Sequence, residues 1–185
     1  MKTLSKKILT SCLALMMAVI MALPTFALTV GSTRKIYGWN GQTVNGSKAA
    51  LTSMGYNSRV QVQTGNTGNQ QWTIKTSRFG DYVIQNNDGY YLNIYRVAYP
   101  AVGNFVYYYA TSYVYEDNLN GYDQRVKLPT VYGKTGYIQL AQPQVSSSGS
   151  VSKNWYLMAD KSSASTLSDV IWYGDHSMSK AQWVN

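Results

Sequence analysis

The sequence predicts an all-β domain built as three related units, and three observations carry that prediction. Apolar and polar residues alternate, as in Arg59-Val60-Gln61-Val62-Gln63, the period of two that marks a strand with one buried face. Turn formers interrupt such runs at fairly even intervals, at Asn40-Gly41, Asn45-Gly46, Asn87-Asp88-Gly89 and Asn118 to Gly121. Many short strands so spaced read as a barrel or sandwich. Finally, the triplet Gln70-Gln71-Trp72 has partial echoes downstream at Gln124-Arg125-Val126 and Ala181-Gln182-Trp183.

Residues 1–27 stand apart from this pattern. Lys2, Lys6 and Lys7 precede an apolar run from Ile8 to Ala22, and Pro24 leads into the small-x-small site Thr25-Phe26-Ala27. This is the layout of a signal peptide. The apolar run is short for a membrane span and has no basic stop behind it. Leu9-Thr10-Ser11-Cys12 has the local look of a lipoprotein box but opens the apolar run instead of ending it. The expectation is a secreted, extracellular chain of residues 28–185, without stable membrane insertion once the signal is cleaved.

The remaining length suits a single domain. The only cysteine, Cys12, lies in the signal, so residues 28–185 hold no thiol or disulfide. Three of the 16 Lys and Arg residues also lie there, which lowers the net charge from +8 to +5, or 13 cations against eight acids. The cations are scattered singly from Arg34 to Lys180. A nucleic-acid partner calls for a clustered basic stripe, so none is expected. The mild excess suits solubility or weak attraction to an anionic cell wall or glycan. All 17 tyrosines follow residue 27. Tyr suits the half-exposed face of a sheet, and also a binding surface that needs a flat apolar ring with a polar tip.

In chain order, Lys35-Ile36-Tyr37 starts the strands, and Ser47 to Met54 reads as one helical turn or a loop. The stretch from Arg59 to Gln63 follows. Tyr82-Val83-Ile84-Gln85 and Tyr91-Leu92-Asn93-Ile94-Tyr95 then form a hairpin about Asp88-Gly89, because a tight turn needs a residue tolerant of positive φ. Further runs are Asn104 to Tyr109, Tyr113-Val114-Tyr115, Gly136 to Leu140 and Val170 to Tyr173. The serine run Ser146 to Ser150 is short for an interdomain linker, with under 40 residues behind it, and reads as a surface loop within the domain.

The units emerge on superposition. An offset of 54 residues places Asn69 to Trp72 over the stretch from Asp123 to Val126, and Val83-Ile84 over Tyr137-Ile138. Tyr90-Tyr91-Leu92 matches Trp155-Tyr156-Leu157, and Val170 to Tyr173 leads into Trp183. Ile36-Tyr37 begins the first unit. The units therefore span roughly 28–75, 76–129 and 130–185 and close at Trp72, Val126 and Trp183, spaced 54 and 57 residues apart.

Three such units resemble the ricin-type lectins, a family in which each unit closes on a Gln-x-Trp motif. Asn69-Gln70-Gln71-Trp72 is a full instance, Gln124 with Val126 lacks the tryptophan, and Ala181 with Trp183 lacks the glutamine. The resemblance implies a β-trefoil, with Gln70, Trp72, Gln124, Val126 and Trp183 as its structural positions. It also implies a shallow sugar pocket in each unit. The family builds that pocket from an aspartate after the unit's early leucine, a stacking aromatic, and an Asn-Gln pair ahead of the tryptophan. The second unit carries most of this: Asn93 after Leu92, Tyr113 or Tyr115 to stack, and Asp123-Gln124 at the pair. The first unit has Asn69 and Gln70, but no acid follows Ile36, where Trp39 and Asn40 lie nearby. In the third, Met158 follows Leu157, Asp160 comes two residues late and Ala181 removes the glutamine. Asn and Asp are also the default turn residues, so each polar position has an architectural role open to it.

Catalytic signals are lacking. His176 is the one histidine, no His/Cys/Asp/Glu cluster has metal spacing, and no phosphate or dinucleotide loop is present. Glu116 and Asp117 are adjacent, so on a strand they point to opposite faces. The expectation is a non-enzymatic domain without cofactor that binds a glycan or cell-surface polysaccharide. The competing expectation is a structural or protein-interaction β-domain that has lost its sugar pockets. A toxin or inhibitor on the same scaffold is a third.

Overall fold

A computed structural model describes residues 28–38, 41, 43–44, 46–65, 68–94, 107–115, 124–141, 144–145, 152–159, 167–174 and 181–184. The signal segment 1–27 and the serine run at 146–150 lie outside them.

Six short stretches close into a barrel. Thr33–Arg34 pairs with Trp72–Thr76, which forms a hairpin with Tyr82–Asn86 through Ile74 opposite Ile84. Tyr82 pairs with Val126, and Val126–Lys127 pairs with Gln139–Leu140. Tyr137 then bridges to Gln182, and Val184 bridges back to Tyr37, just beyond Thr33–Arg34. A closed ring leaves no barrel edge to aggregate.

Three further hairpins cap one end. They pair Ser47–Thr52 with Gln61–Thr64, Tyr91–Ile94 with Tyr107–Tyr113, and Tyr156–Ala159 with Leu167–Tyr173. Their registers set Leu51 opposite Val62, Leu92 opposite Ser112 and Leu157 opposite Trp172. The hairpins converge where the Val60 N–H donates to the Ala110 carbonyl at 2.8 Å and the Val170 N–H donates to the Val60 carbonyl at 3.0 Å. All three residues are fully buried. This is the pseudo-three-fold axis, and it fixes the equivalences Leu51/Leu92/Leu157, Val60/Ala110/Val170 and Trp72/Val126/Trp183.

Among the described residues three fully buried indoles anchor the core, with the nearly buried Trp155 packed in the same cluster. Trp72 donates its Nε1–H to the Leu51 carbonyl at 2.8 Å, and Trp183 donates to the equivalent Leu157 carbonyl at 2.9 Å. Val126 has no such donor. The third indole comes from Trp172, which reaches the carbonyl of Asn93, next to Leu92, at 3.3 Å. Each unit's inner cap strand thus receives one indole, although one arrives from a neighbouring unit. Burying each ring contributes roughly 2–3 kcal/mol.

Two sequence readings are corrected. Ser47–Thr52 is a strand, not a helical turn or loop. Ala49, Ala50 and Leu51 are buried by pairing with Gln61–Thr64 on one side and Tyr37 on the other, which overrides their helical propensity. The uniform offset also fails within the second unit. Val62 matches Ser112, 50 residues on, while Trp72 matches Val126, 54 on. Four extra residues lie between cap strand and closing position, so Tyr115 sits beyond the strand, which ends at Tyr113.

Candidate functional site

The glutamines of the repeat motif are part of the frame. Gln70 is fully buried, and its Nε2 donates to Thr52 Oγ1 at 3.1 Å and to the Gln63 carbonyl at 3.3 Å. Gln124 is also buried and donates to the Val114 carbonyl at 2.7 Å. Each amide pins the outgoing cap strand of its own unit to the turn before the closing residue. Asn69 is half-buried, and its carbonyl accepts from the Ser53 N–H at 3.0 Å. Asp123 lies outside the described residues, as do Trp39, Asn40, Glu116, Asp117, Asp160 and His176.

The three-fold equivalence relocates the acid position of the first unit. Its early leucine is Leu51, so the residue in question is Thr52, not a neighbour of Ile36. Thr52 is buried, donating to the Ala50 carbonyl and accepting from Gln70. In the third unit Met158 is buried in an apolar cluster with Tyr109, Tyr137, Tyr156 and Ile171. Asn93 in the second unit is the one of the three that reaches the surface, half-buried. Its Nδ2 donates to Thr111 Oγ1 at 3.2 Å and to the Ile94 carbonyl at 3.0 Å. Both bonds use the amide nitrogen, which leaves the amide oxygen as an acceptor.

Strand alternation gathers aromatics beside it. Asn93 stands opposite Thr111, and two residues along Tyr91 stands opposite Tyr113, so all four share the face turned away from Leu92 and Ser112. The Tyr113 ring stacks on Tyr56 with centroids 5.2 Å apart, and Tyr56 lies 5.8 Å from Tyr90. Tyr115, well exposed, lies 4.9 Å from Tyr91. Burial, and secondarily the neighbouring Tyr115, raise the Tyr91 phenol above its usual 10.0. A phenol is neutral at physiological pH even at its ordinary value, so the hydroxyl is both donor and acceptor there. Beyond Thr111, Arg59 is held by Asp169 at 3.0 Å and lies over the Tyr109 ring. Gln61 donates to the other oxygen of Asp169 at 3.0 Å.

The structure thus brings Asn93, Tyr113 and Tyr115 together and adds Tyr56, Tyr90 and Tyr91. Sequence reasoning missed Tyr56 because it arrives from the first unit's cap turn. Tyr91 was findable once Leu92 had been set opposite Ser112. Among the described residues, no group of three His, Cys, Asp or Glu side chains could hold a metal ion.

The sequence matches no protein-family profile and no curated protein. Solved structures do match. A designed three-fold symmetric protein, ThreeFoil, superposes with a TM-score of 0.56 at 19% identity, over 83% of this chain and 98% of that one. The chain is a β-trefoil. The agglutinin of Rhizoctonia solani matches with a TM-score of 0.53 at 15% identity, over 85% of this chain and 95% of its own. A mosquitocidal holotoxin matches with 0.57 at 13% identity over 85% of this chain, which spans 17% of that protein. Such identities bear on the trefoil fold alone.

Proposed function

We propose that residues 1–27 direct export and are removed, and that residues 28–185 act outside the cell as a non-catalytic, carbohydrate-binding trefoil working through its second unit. One observation carries this reading. Of three pseudo-equivalent positions, Thr52 and Met158 are buried, while Asn93 opens to the surface beside exposed tyrosine rings. A pyranose has one C–H-rich face and a fringe of hydroxyls. Tyr113 or Tyr115 offers a ring for the first, and Asn93 with the phenol hydroxyls offers neutral donors and acceptors for the second. The agglutinin among the structures that share the fold supports the same reading.

An amide in place of a carboxylate makes a weaker hydroxyl acceptor. A single sugar unit is therefore expected to bind at about millimolar Kd, near 4 kcal/mol. The second reading, a protein-interaction domain, draws on the same surface. Met54, two residues before Tyr56, and Val114, between Tyr113 and Tyr115, are also exposed and offer apolar area that a protein partner would cover. A glycan array with a cell-wall polysaccharide pull-down separates the two. Captured glycan that is lost in Asn93→Ala supports the lectin reading. A blank array and pull-down would leave the protein-interaction reading in its place.

A further inference from the structure

The end of the barrel opposite the cap carries a feature that sugar binding does not use. The hairpin between Trp72–Thr76 and Tyr82–Asn86 turns there, with Phe79 at its tip, 51% exposed. Val126 runs antiparallel to Tyr82, so the chain beyond Val126 heads for the same end. There Val131 and Lys134 exchange backbone hydrogen bonds around a two-residue turn, Tyr132-Gly133. Thr33–Arg34 runs antiparallel to Trp72–Thr76, which brings Val30, 41% exposed, to this end as well. Each of the three barrel corners therefore ends in an exposed apolar or aromatic residue.

Tyr132 is the sharpest case. It is 87% exposed and adopts φ of +48°, a left-handed conformation that bulky residues avoid and that Asn or Gly would adopt at lower cost. A strained position that displays a large ring is a pointer to function. Phe79 differs in having the guanidinium groups of Arg78 and Arg125 over its ring, at 4.8 and 4.2 Å.

Charge follows the same geometry. The stretches 28–34, 75–82 and 125–134 hold six cations (Arg34, Lys75, Arg78, Arg125, Lys127 and Lys134) and one acid, Asp81. Asp81 is buried and paired with Arg125. Elsewhere among the described residues, four cations (Lys35, Lys48, Arg59 and Lys153) stand with two acids (Asp88 and Asp169). Six cations less one acid give this end a net charge of +5, against +2 for the other described residues, although the cations are dispersed in sequence.

We propose that the open end of the barrel is a docking face for an anionic lipid bilayer, with Phe79 and Tyr132 entering the interface and the surrounding Lys and Arg side chains meeting lipid phosphates. Peripheral binding of this kind adds buried apolar area to electrostatic attraction, and aromatic rings favour the headgroup level. Two observations favour lipid over an anionic polysaccharide. The Phe79 ring face is already engaged by guanidinium groups and is poorly disposed to stack on a sugar, and Val30 offers a sugar nothing. No helix among the described residues is long and apolar enough to cross a membrane, and the proposed contact is interfacial.

The test is flotation of residues 28–185, which carry the closed barrel and its cap, with vesicles of phosphatidylcholine alone or mixed with phosphatidylglycerol. Binding is expected only to the anionic vesicles and should fall with added salt. Arg78→Gln and Lys134→Gln should each weaken it about fivefold. Phe79→Ser with Tyr132→Asn, the latter suited to the left-handed turn, should weaken it at least as much. Circular dichroism of each variant checks that the fold is intact. Equal flotation with both vesicle types, or parental binding by the tip variants, would overturn the proposal. So would capture by soluble dextran sulfate without flotation, which would assign the cations to polysaccharide.

Discussion

Replacing Trp72 by Phe probes the pseudo-symmetric core at one atom. The indole is fully buried, and its Nε1–H donates to the Leu51 carbonyl at 2.8 Å. Phenylalanine keeps a ring in place but leaves one acceptor position of that carbonyl without a partner, which costs about 1–2 kcal/mol. The smaller ring leaves space that a closed barrel only partly collapses into, about 1 kcal/mol more. The expected loss of about 2–3 kcal/mol is a large fraction of the stability of a domain this size. Urea unfolding measures it as a lower midpoint at unchanged slope. Trp183→Phe should behave alike, since its indole bonds the equivalent Leu157 carbonyl at 2.9 Å. Gln71→Ala, at the half-buried middle position of the motif, should stay within about 0.5 kcal/mol of the parent. If Trp72→Phe cost no more than Gln71→Ala, the indole-to-carbonyl account of the core would be wrong.

Other consequences follow from the same packing. Val126→Trp, which would restore the repeat motif, should destabilise by about 1–3 kcal/mol, because Val126 is fully buried and Trp172 already serves Asn93 of that unit; a rise in the urea midpoint would contradict this. Arg125→Leu should cost about 3–5 kcal/mol by leaving the buried Asp81 carboxylate without its cation, again read by urea unfolding. Burial raises the phenols of Tyr137 and Tyr156 above the ordinary 10.0. The unfolded chain then gives up those protons first, so their contribution is present below pH 10.0 and is lost as pH rises beyond it. Alkaline unfolding curves of Tyr137→Phe with Tyr156→Phe should accordingly fall less steeply than those of the parent.

The architecture was legible where side chains do the same job in each unit. Ile84 matched Ile138 and Leu92 matched Leu157 because each pair occupies the same buried position beside an antiparallel neighbour. The closing residues Trp72, Val126 and Trp183 were found because two of them keep an indole that must reach a carbonyl. Leu51 was hidden because Ala49 and Ala50 beside it are good helix formers, and only tertiary pairing makes a strand of them. Trp172 gave no sign that it would replace the indole missing at Val126, since that substitution crosses between units. The candidate site was half legible: Asn93 came from its place after Leu92, as the resemblance implies, but Tyr56 joins the same face only through the meeting of two cap hairpins. Gln70 and Gln124 had both a sugar contact and an architectural role open to them in the sequence, and burial places both inside the frame.

The proposed function rests on the second unit's face, and one comparison tests it most directly. Residues 28–185 should be titrated with the glycans an array selects, alongside Asn93→Ala, Tyr113→Ala and Tyr173→Ala. Tyr173 stands in the third unit, where Met158 is buried at the position of Asn93. Losing one stacked ring or one neutral hydrogen bond is worth about 1 kcal/mol, about fivefold in Kd. Asn93→Ala and Tyr113→Ala should each weaken binding by about that factor, while Tyr173→Ala leaves it unchanged. A bound glycan indifferent to Asn93 and Tyr113, or weakened by Tyr173→Ala alone, would contradict the account.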